Sequence, residues 1–142
     1  MQNYKNHIRF NPLHHFILTP LLLVVFIWSV VDWVNADAVS THHILLVLVS
    51  FGALFMSLVA RLYGLKNQDR IIRLEMRQRY FELTGTSFKT KEKDLRLSQI
   101  IALRFASDEE LLVLMDRAIN EQLSGKEIKQ AIKNWQADYM RV

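Results

Sequence analysis

Imidazole is the commonest metal-binding side chain, and four of the five histidines in this chain stand in two adjacent pairs, His14-His15 and His42-His43. Neighbours on a helix point about 100° apart and seldom grip one ion together. Each pair also opens a different apolar run, so a membrane hairpin would hold the two pairs on opposite faces of a bilayer core about 30 Å thick. What remains is a zinc reading at one surface, His42 or His43 with Asp37 or Asp32, against the plainer reading of polar residues at a membrane boundary. The chain has no cysteine, which removes disulfides, thiolate metal sites and cysteine nucleophiles. His-Glu-x-x-His, a glycine-rich phosphate loop and a nucleophile elbow are all missing, and Gly85-Thr86-Ser87 and Gly125-Lys126 lack the rest of a P-loop. Asp108, Glu109 and Glu110 cluster in a first helical turn, where carboxylates favour the helix dipole with no acid–base role. The sequence predicts no catalytic residue, no cofactor and no metal site. It predicts a protein that is not an enzyme.

The elements that carry these residues follow from how charge is segregated. Between Arg9 and Arg61 there is no Lys or Arg and the only acids are Asp32 and Asp37, whereas residues 61–142 hold sixteen basic and twelve acidic side chains. One half is built for lipid and one for water. A first span is predicted from Leu13 to about Val34, with Pro20 tolerated near its start and Asn11-Pro12 as a turn before it. A short link, Asn35 to His43, carries Asp37 and no Lys or Arg. The second span, 44–65, has no charge from Ile44 to Ala60, and Arg61 and Tyr63 suit the headgroup boundary. No small-x-small cleavage site closes the first run, which argues against a cleaved signal peptide.

Two patterns mark the second span and its continuation. Ser50, Ala53, Ser57, Ala60 and Gly64 recur at steps of three and four, a stripe of small side chains that lets helix backbones approach closely. It reads as packing against Phe26 and Trp28 of the first span, or as a seam for an oligomer or a docked protein. Beyond Leu65 the helical periodicity continues through Ile72, Met76, Tyr80 and Leu83, opposite a basic row of Lys66, Arg70, Arg73 and Arg77. With Arg61, that row is a candidate contact for anionic lipid or for a partner, and Arg73 is a candidate for an ion pair with Asp69. A continuous helix from Ile44 to Leu83 would be a rod of about 60 Å.

After Gly85, a predicted helix cap, residues 84–94 read as a solvated loop. Three helical pieces are then expected within residues 95–142: one around Leu97 to Phe105, one opened by the capping box Ser107-Asp108-Glu109-Glu110, and one opened by Ser124-Gly125-Lys126-Glu127. The last is predicted to bury Ile128, Ala131, Ile132, Trp135 and Tyr139. The capped pair has the outline of a helix-turn-helix, and Lys126, Lys129 and Lys133 form a basic row. The acidic helix before it would repel phosphate, so pairing of acidic and basic faces is expected and nucleic acid is not an expected partner.

The opening Gln2-Asn3-Tyr4-Lys5-Asn6-His7, the segment Leu97-Ser98-Gln99-Ile100-Ile101-Ala102-Leu103-Arg104-Phe105-Ala106 with Asp108-Glu109-Glu110-Leu111, and Ile128-Lys129-Gln130-Ala131-Ile132-Lys133-Asn134-Trp135 carry a resemblance. Over nearly its whole length the chain resembles a family of small two-pass membrane proteins of Bacteroidota-type bacteria with no assigned activity. The resemblance implies a bacterial inner membrane. Lys5 and Arg9 before the first span and Arg61 to Arg79 after the second place both termini in the cytoplasm. The expected architecture is all-α: an N-terminal segment (1–15), a transmembrane hairpin (16–65), a juxtamembrane basic helix (66–83), a loop (84–94) and a small helical cytoplasmic domain (95–142). The expected function is that of an accessory or scaffold protein in the lipid bilayer, presenting its domain to a protein partner or to a homo-oligomer. The alternative is a subunit of a transport or ion-conducting assembly, for which Asp32 is the one hook.

Overall fold

A computed structural model describes residues 3, 4, 6 and 11–138. Among these the regular structure is helical apart from one isolated antiparallel bridge, Ala106 to Trp135, so the fold is all-α with no sheet. Two compact units part between Leu65 and Lys66.

In the unit of residues 10–65, Asn11 Oδ1 accepts the His14 N–H at 3.1 Å. Asn11-Pro12 is therefore a helix cap followed by proline at the first position, where a missing N–H costs nothing, and not the expected turn. A π-helical segment, Leu13–Leu18, runs into α1, Thr19–Asn35. The Pro20 ring would crowd the carbonyl four residues earlier, and the wider turns before it leave room. The next helix, α2, spans Thr41–Thr84 and begins three residues before Ile44. Its start is fixed by Ser40, whose N–H donates to His43 Nδ1 at 3.2 Å while its Oγ lies 2.8 Å from the same nitrogen.

The helices of this unit meet through small and aromatic residues. Ser29 and Ser50 are the only buried side chains in it among the described residues, their hydroxyls 2.9 Å apart and each within reach of the carbonyl three residues back. Phe26 meets Phe51 at 5.8 Å. Trp28, expected to pack against the small stripe, is instead 72% exposed. Of the most apolar eighteen residues, only 6% are buried in Leu13–Asn35 and 11% in Thr41–Thr84. A core helix of a soluble protein shows the opposite, because burying apolar surface is what drives its packing. These are two candidate membrane spans, each long enough to cross the hydrocarbon layer. The protein is a membrane-associated helical protein.

The second unit has a buried apolar core. Ile72 and Met76 of α2 are buried there with Ile100, Leu103, Leu111, Met115 and Ile128. Gly85, at φ 66°, ends α2 by donating its N–H to the Phe81 carbonyl at 2.8 Å, a left-handed cap that glycine adopts freely. The loop expected over 84–94 is corrected at this point. Phe88 turns into the core at 2% exposure, its ring 5.2 Å from Tyr80, and Lys89–Glu92 forms a short helix, α3. One buried aromatic ring outweighs the polar composition around it. Then come α4 (Leu97–Leu103), α5 (Asp108–Asn120) and α6 (Gly125–Ala131).

Gln99 ties these together from inside the core. Its Nε2 donates to the carbonyls of Leu123 at 2.8 Å and Ala118 at 3.2 Å, and its Oε1 accepts the Arg96 N–H at 2.7 Å. Gly125 opens α6 against α4 so closely that a Cβ there would stand 2.7 Å from the Ser98 carbonyl oxygen. The last helix is shorter than its sequence predicts. The Glu110 carboxylate accepts the N–H groups of Lys133 at 3.1 Å and Asn134 at 3.0 Å, and Ile132 is extended. Trp135 then stacks on Phe105 at 4.7 Å beside the bridge to Ala106. Tertiary hydrogen bonds, at about 1 kcal/mol each or more when charged, outweigh one further helical turn. Tyr139 lies outside the described residues.

Candidate interaction surface on α2

The small stripe lies on the side of α2 that meets the first helical segment. Ser50 is buried against Ser29, Ala53 is half-buried, and Ser57, Ala60 and Gly64 line an open cleft with Asn11, His14, Leu18 and Arg61.

The basic row divides. Arg73 and Arg77 converge on Glu92 of α3: Arg77 donates from Nε to Oε2 at 2.7 Å and from a terminal nitrogen to Oε1 at 3.1 Å, where Arg73 also donates at 3.1 Å. The Glu92 side chain is 9% exposed and the two guanidinium side chains about 40%. Hydrogen bonding to Arg77, and then to Arg73, holds the Glu92 carboxyl below the usual carboxylate range. The sequence offered Asp69 to Arg73 because i to i+4 spacing is local. The structure pairs Arg73 nineteen residues away instead. Arg61, Lys66 and Arg70 are not part of that cluster.

Arg79 is a positioning residue that periodicity does not reveal. It donates to Asp108 Oδ1 at 2.6 Å and to the carbonyls of Ala106 at 2.6 Å and Arg104 at 3.2 Å, locking the link between α4 and α5. The acid-to-base pairing expected between α5 and the lysines of α6 is absent among the described residues. Asp108 pairs with Arg79 and Asp116 with Lys91, while Lys129 lies 5.8 Å from the Phe105 ring centre.

The histidines are accounted for by local structure. His43 Nδ1 accepts from Ser40 at the start of α2, which puts the ring proton on Nε2, 3.7 Å from Asp32 Oδ2. His14 and His15 meet edge to face at 5.1 Å, and His42 and His43 at 6.1 Å. No group of three His, Asp or Glu residues among the described ones is placed to hold a metal ion.

A second apolar row on α2 is the feature that the sequence reading missed. Ile71, Leu74 and Phe81 are 54%, 61% and 58% exposed, and with Gln78 they recur at steps of three, four and three. They project away from Ile72 and Met76, which face the core of their own unit. Counting a single stripe per helix hid them, since Ile72, Met76 and Tyr80 already satisfy the periodicity. Their own three-four spacing was the available signal.

A family model matches residues 1–142, the full length. The chain belongs to DUF6526, a family of unknown function. The match covers both units. No curated protein and no solved structure matches the chain.

Proposed function

We propose that this protein is a non-enzymatic accessory or scaffold component of the bacterial inner membrane. It is a two-pass hairpin with both termini in the cytoplasm, and it presents its helical domain to a protein partner. One observation carries the reading: Ile71, Leu74 and Phe81 stand open to solvent on a helix whose other face is buried. Soluble surfaces seldom leave large apolar side chains in a contiguous row unless something covers them. The topology follows from the lysines and arginines, with Arg61 to Arg79 after the second span; Lys5 and Arg9, which balance them before the first, lie outside the described residues. Arg61, Lys66 and Arg70 are the cations of the row nearest the second span, where each charge near an anionic surface is worth about 1 kcal/mol.

The alternative, a subunit of a transport or ion-conducting assembly, rests on Asp32. That carboxylate stands at the end of α1 beside His43 rather than at mid-span, which favours a structural role for the pair.

A photo-crosslinking residue at Leu74, introduced in the full-length protein in its native membrane, tests the scaffold reading. A discrete protein adduct from Leu74, with none from the isolated exposed Val113, is expected. Lipid adducts alone at positions 71, 74 and 81 would overturn it.

A further inference from the structure

We infer that residues 70–82 of α2 pair with the same segment of a second copy of this chain as a parallel two-stranded coiled coil. The inference rests on the proposal that the α2 row is an interaction surface, and it names the occupant.

The row has heptad spacing. Ile71 and Gln78 take the a positions, Leu74 and Phe81 the d positions, which is the seam of a two-stranded coil. The flanks decide the partner and its direction. Arg70 and Arg77 fall at g, Glu75 and Glu82 at e. In a parallel, in-register pair, each g residue faces the e residue of the following heptad on the other strand. Arg70 therefore meets the partner's Glu75, and Arg77 the partner's Glu82, each pair occurring twice by symmetry. An antiparallel pair would set arginine beside arginine and glutamate beside glutamate. A membrane imposes the same choice, because copies inserted the same way send α2 out of the bilayer in the same direction.

The first of these pairs is the stronger. Among the described residues, neither the Arg70 nor the Glu75 side chain has a hydrogen bond or ion pair, and both are exposed. Arg77 is held by Glu92, and Glu82 accepts the Gln78 amide at 2.8 Å, so the second pair would compete with existing bonds. Gln78 puts a polar residue into the seam, a device that fixes register and strand number at a cost in stability. Two heptads are short for a coiled coil in solution, where isolated helices of this length are marginal. Here the helix is already formed by packing of its other face, and confinement to one membrane raises the effective concentration of the second copy.

The test uses the cysteine-free full-length protein in its native membrane. Leu74→Cys and, separately, Ile71→Cys are oxidised, with Val113→Cys as the exposed control. Disulfide-linked dimer is expected from both seam positions, with at least tenfold less from the control. In the Leu74→Cys background, Arg70→Glu or Glu75→Arg alone should cut the dimer about tenfold, and the two together should restore it. Absence of dimer from both seam cysteines, or failure of the double exchange to restore it, overturns the second copy as occupant. If those cysteines give no dimer while the photo-crosslinker at Leu74 captures a different protein, the inference falls and the scaffold reading stands. If neither gives a protein adduct, both fall.

Discussion

The two units of this chain solve the burial problem in opposite ways. Among the described residues of 10–65 the buried side chains are two serines, Ser29 and Ser50, while leucines, valines and Trp28 point outward. In the unit that begins at Lys66 the buried set is Ile100, Leu103, Leu111, Met115 and their neighbours, and the outside is mostly polar and charged, apart from Val113 and the row Ile71, Leu74 and Phe81. The same helix, α2, takes part in both regimes. The lesson is that the solvent each unit is built for can be read from which class of side chain is hidden. Between helices in lipid there is no hydrophobic drive, so close approach and a shared hydroxyl contact replace it. In water, apolar burial supplies the drive and ion pairs fix the details.

The largest effect expected from breaking this contrast is Leu103→Ala, at a fully buried site, which should cost about 3 kcal/mol as transfer and cavity terms add. Val24→Ala on the exposed face of α1 should leave thermal unfolding of the detergent-solubilised protein nearly unchanged. Equal losses at the two sites would erase the contrast. Nearly as large is Val24→Arg, since a cation at mid-span costs about 3 kcal/mol of insertion free energy, whereas Val113→Arg should stay within about 0.5 kcal/mol. The yield of membrane-inserted protein distinguishes them, and similar yields would remove the lipid-facing role of α1.

The ion-pair cluster sharpens the description of the water-facing unit. Glu92→Ala leaves Arg73 and Arg77 without their acceptor and should cost about 2 kcal/mol, the scale of charge-assisted hydrogen bonds discounted for half-exposed arginines. Because the Glu92 carboxyl is held below its ordinary value of 4.5, its contribution is complete only at pH well above that value, where the unfolded group is also ionised, and is lost as pH falls from there through the folded value. The gap in melting temperature between the natural protein and Glu92→Gln should therefore narrow on acidification from neutrality. A gap independent of pH would show that the carboxylate is not the stabilising species. The smallest effect expected is Ser50→Ala, about 0.6 kcal/mol for one hydrogen bond between helices in a membrane, read from detergent unfolding of the full chain. A loss several times larger would mean that the Ser29–Ser50 contact organises the hairpin rather than fitting within it.

Most of the architecture was legible in the sequence because the signals are long. Two apolar runs, the absence of Lys and Arg between Arg9 and Arg61, and two capping boxes each follow a rule local to their own segment. Gly85 as a helix cap and Ser124 with Glu127 at the start of α6 stand as expected, the latter with reciprocal bonds of 2.7 and 3.2 Å. What stayed hidden depends on residues distant in the chain. Phe88 becomes core only because Tyr80 meets it within the buried cluster, Glu92 is paired only because α3 returns to α2, and Glu110 ends the C-terminal helix from twenty-three residues away. The α2 row was readable but disguised. A helix with two apolar faces has almost no net amphipathic signal along its length, and a single-stripe reading keeps the stripe that faces the core.

The proposed topology, in which residues 10–65 cross a bilayer as a hairpin and the helical unit lies on the side where both termini emerge, can be tested by accessibility of single cysteines in a chain that has none. With a membrane-impermeant maleimide, Ala38→Cys should label in cells whose outer membrane alone is opened, Ser87→Cys only after the inner membrane is permeabilised, and Val24→Cys only once the bilayer is dissolved. Labelling of positions 38 and 87 from the same side, or of position 24 as readily as position 38, would contradict the account.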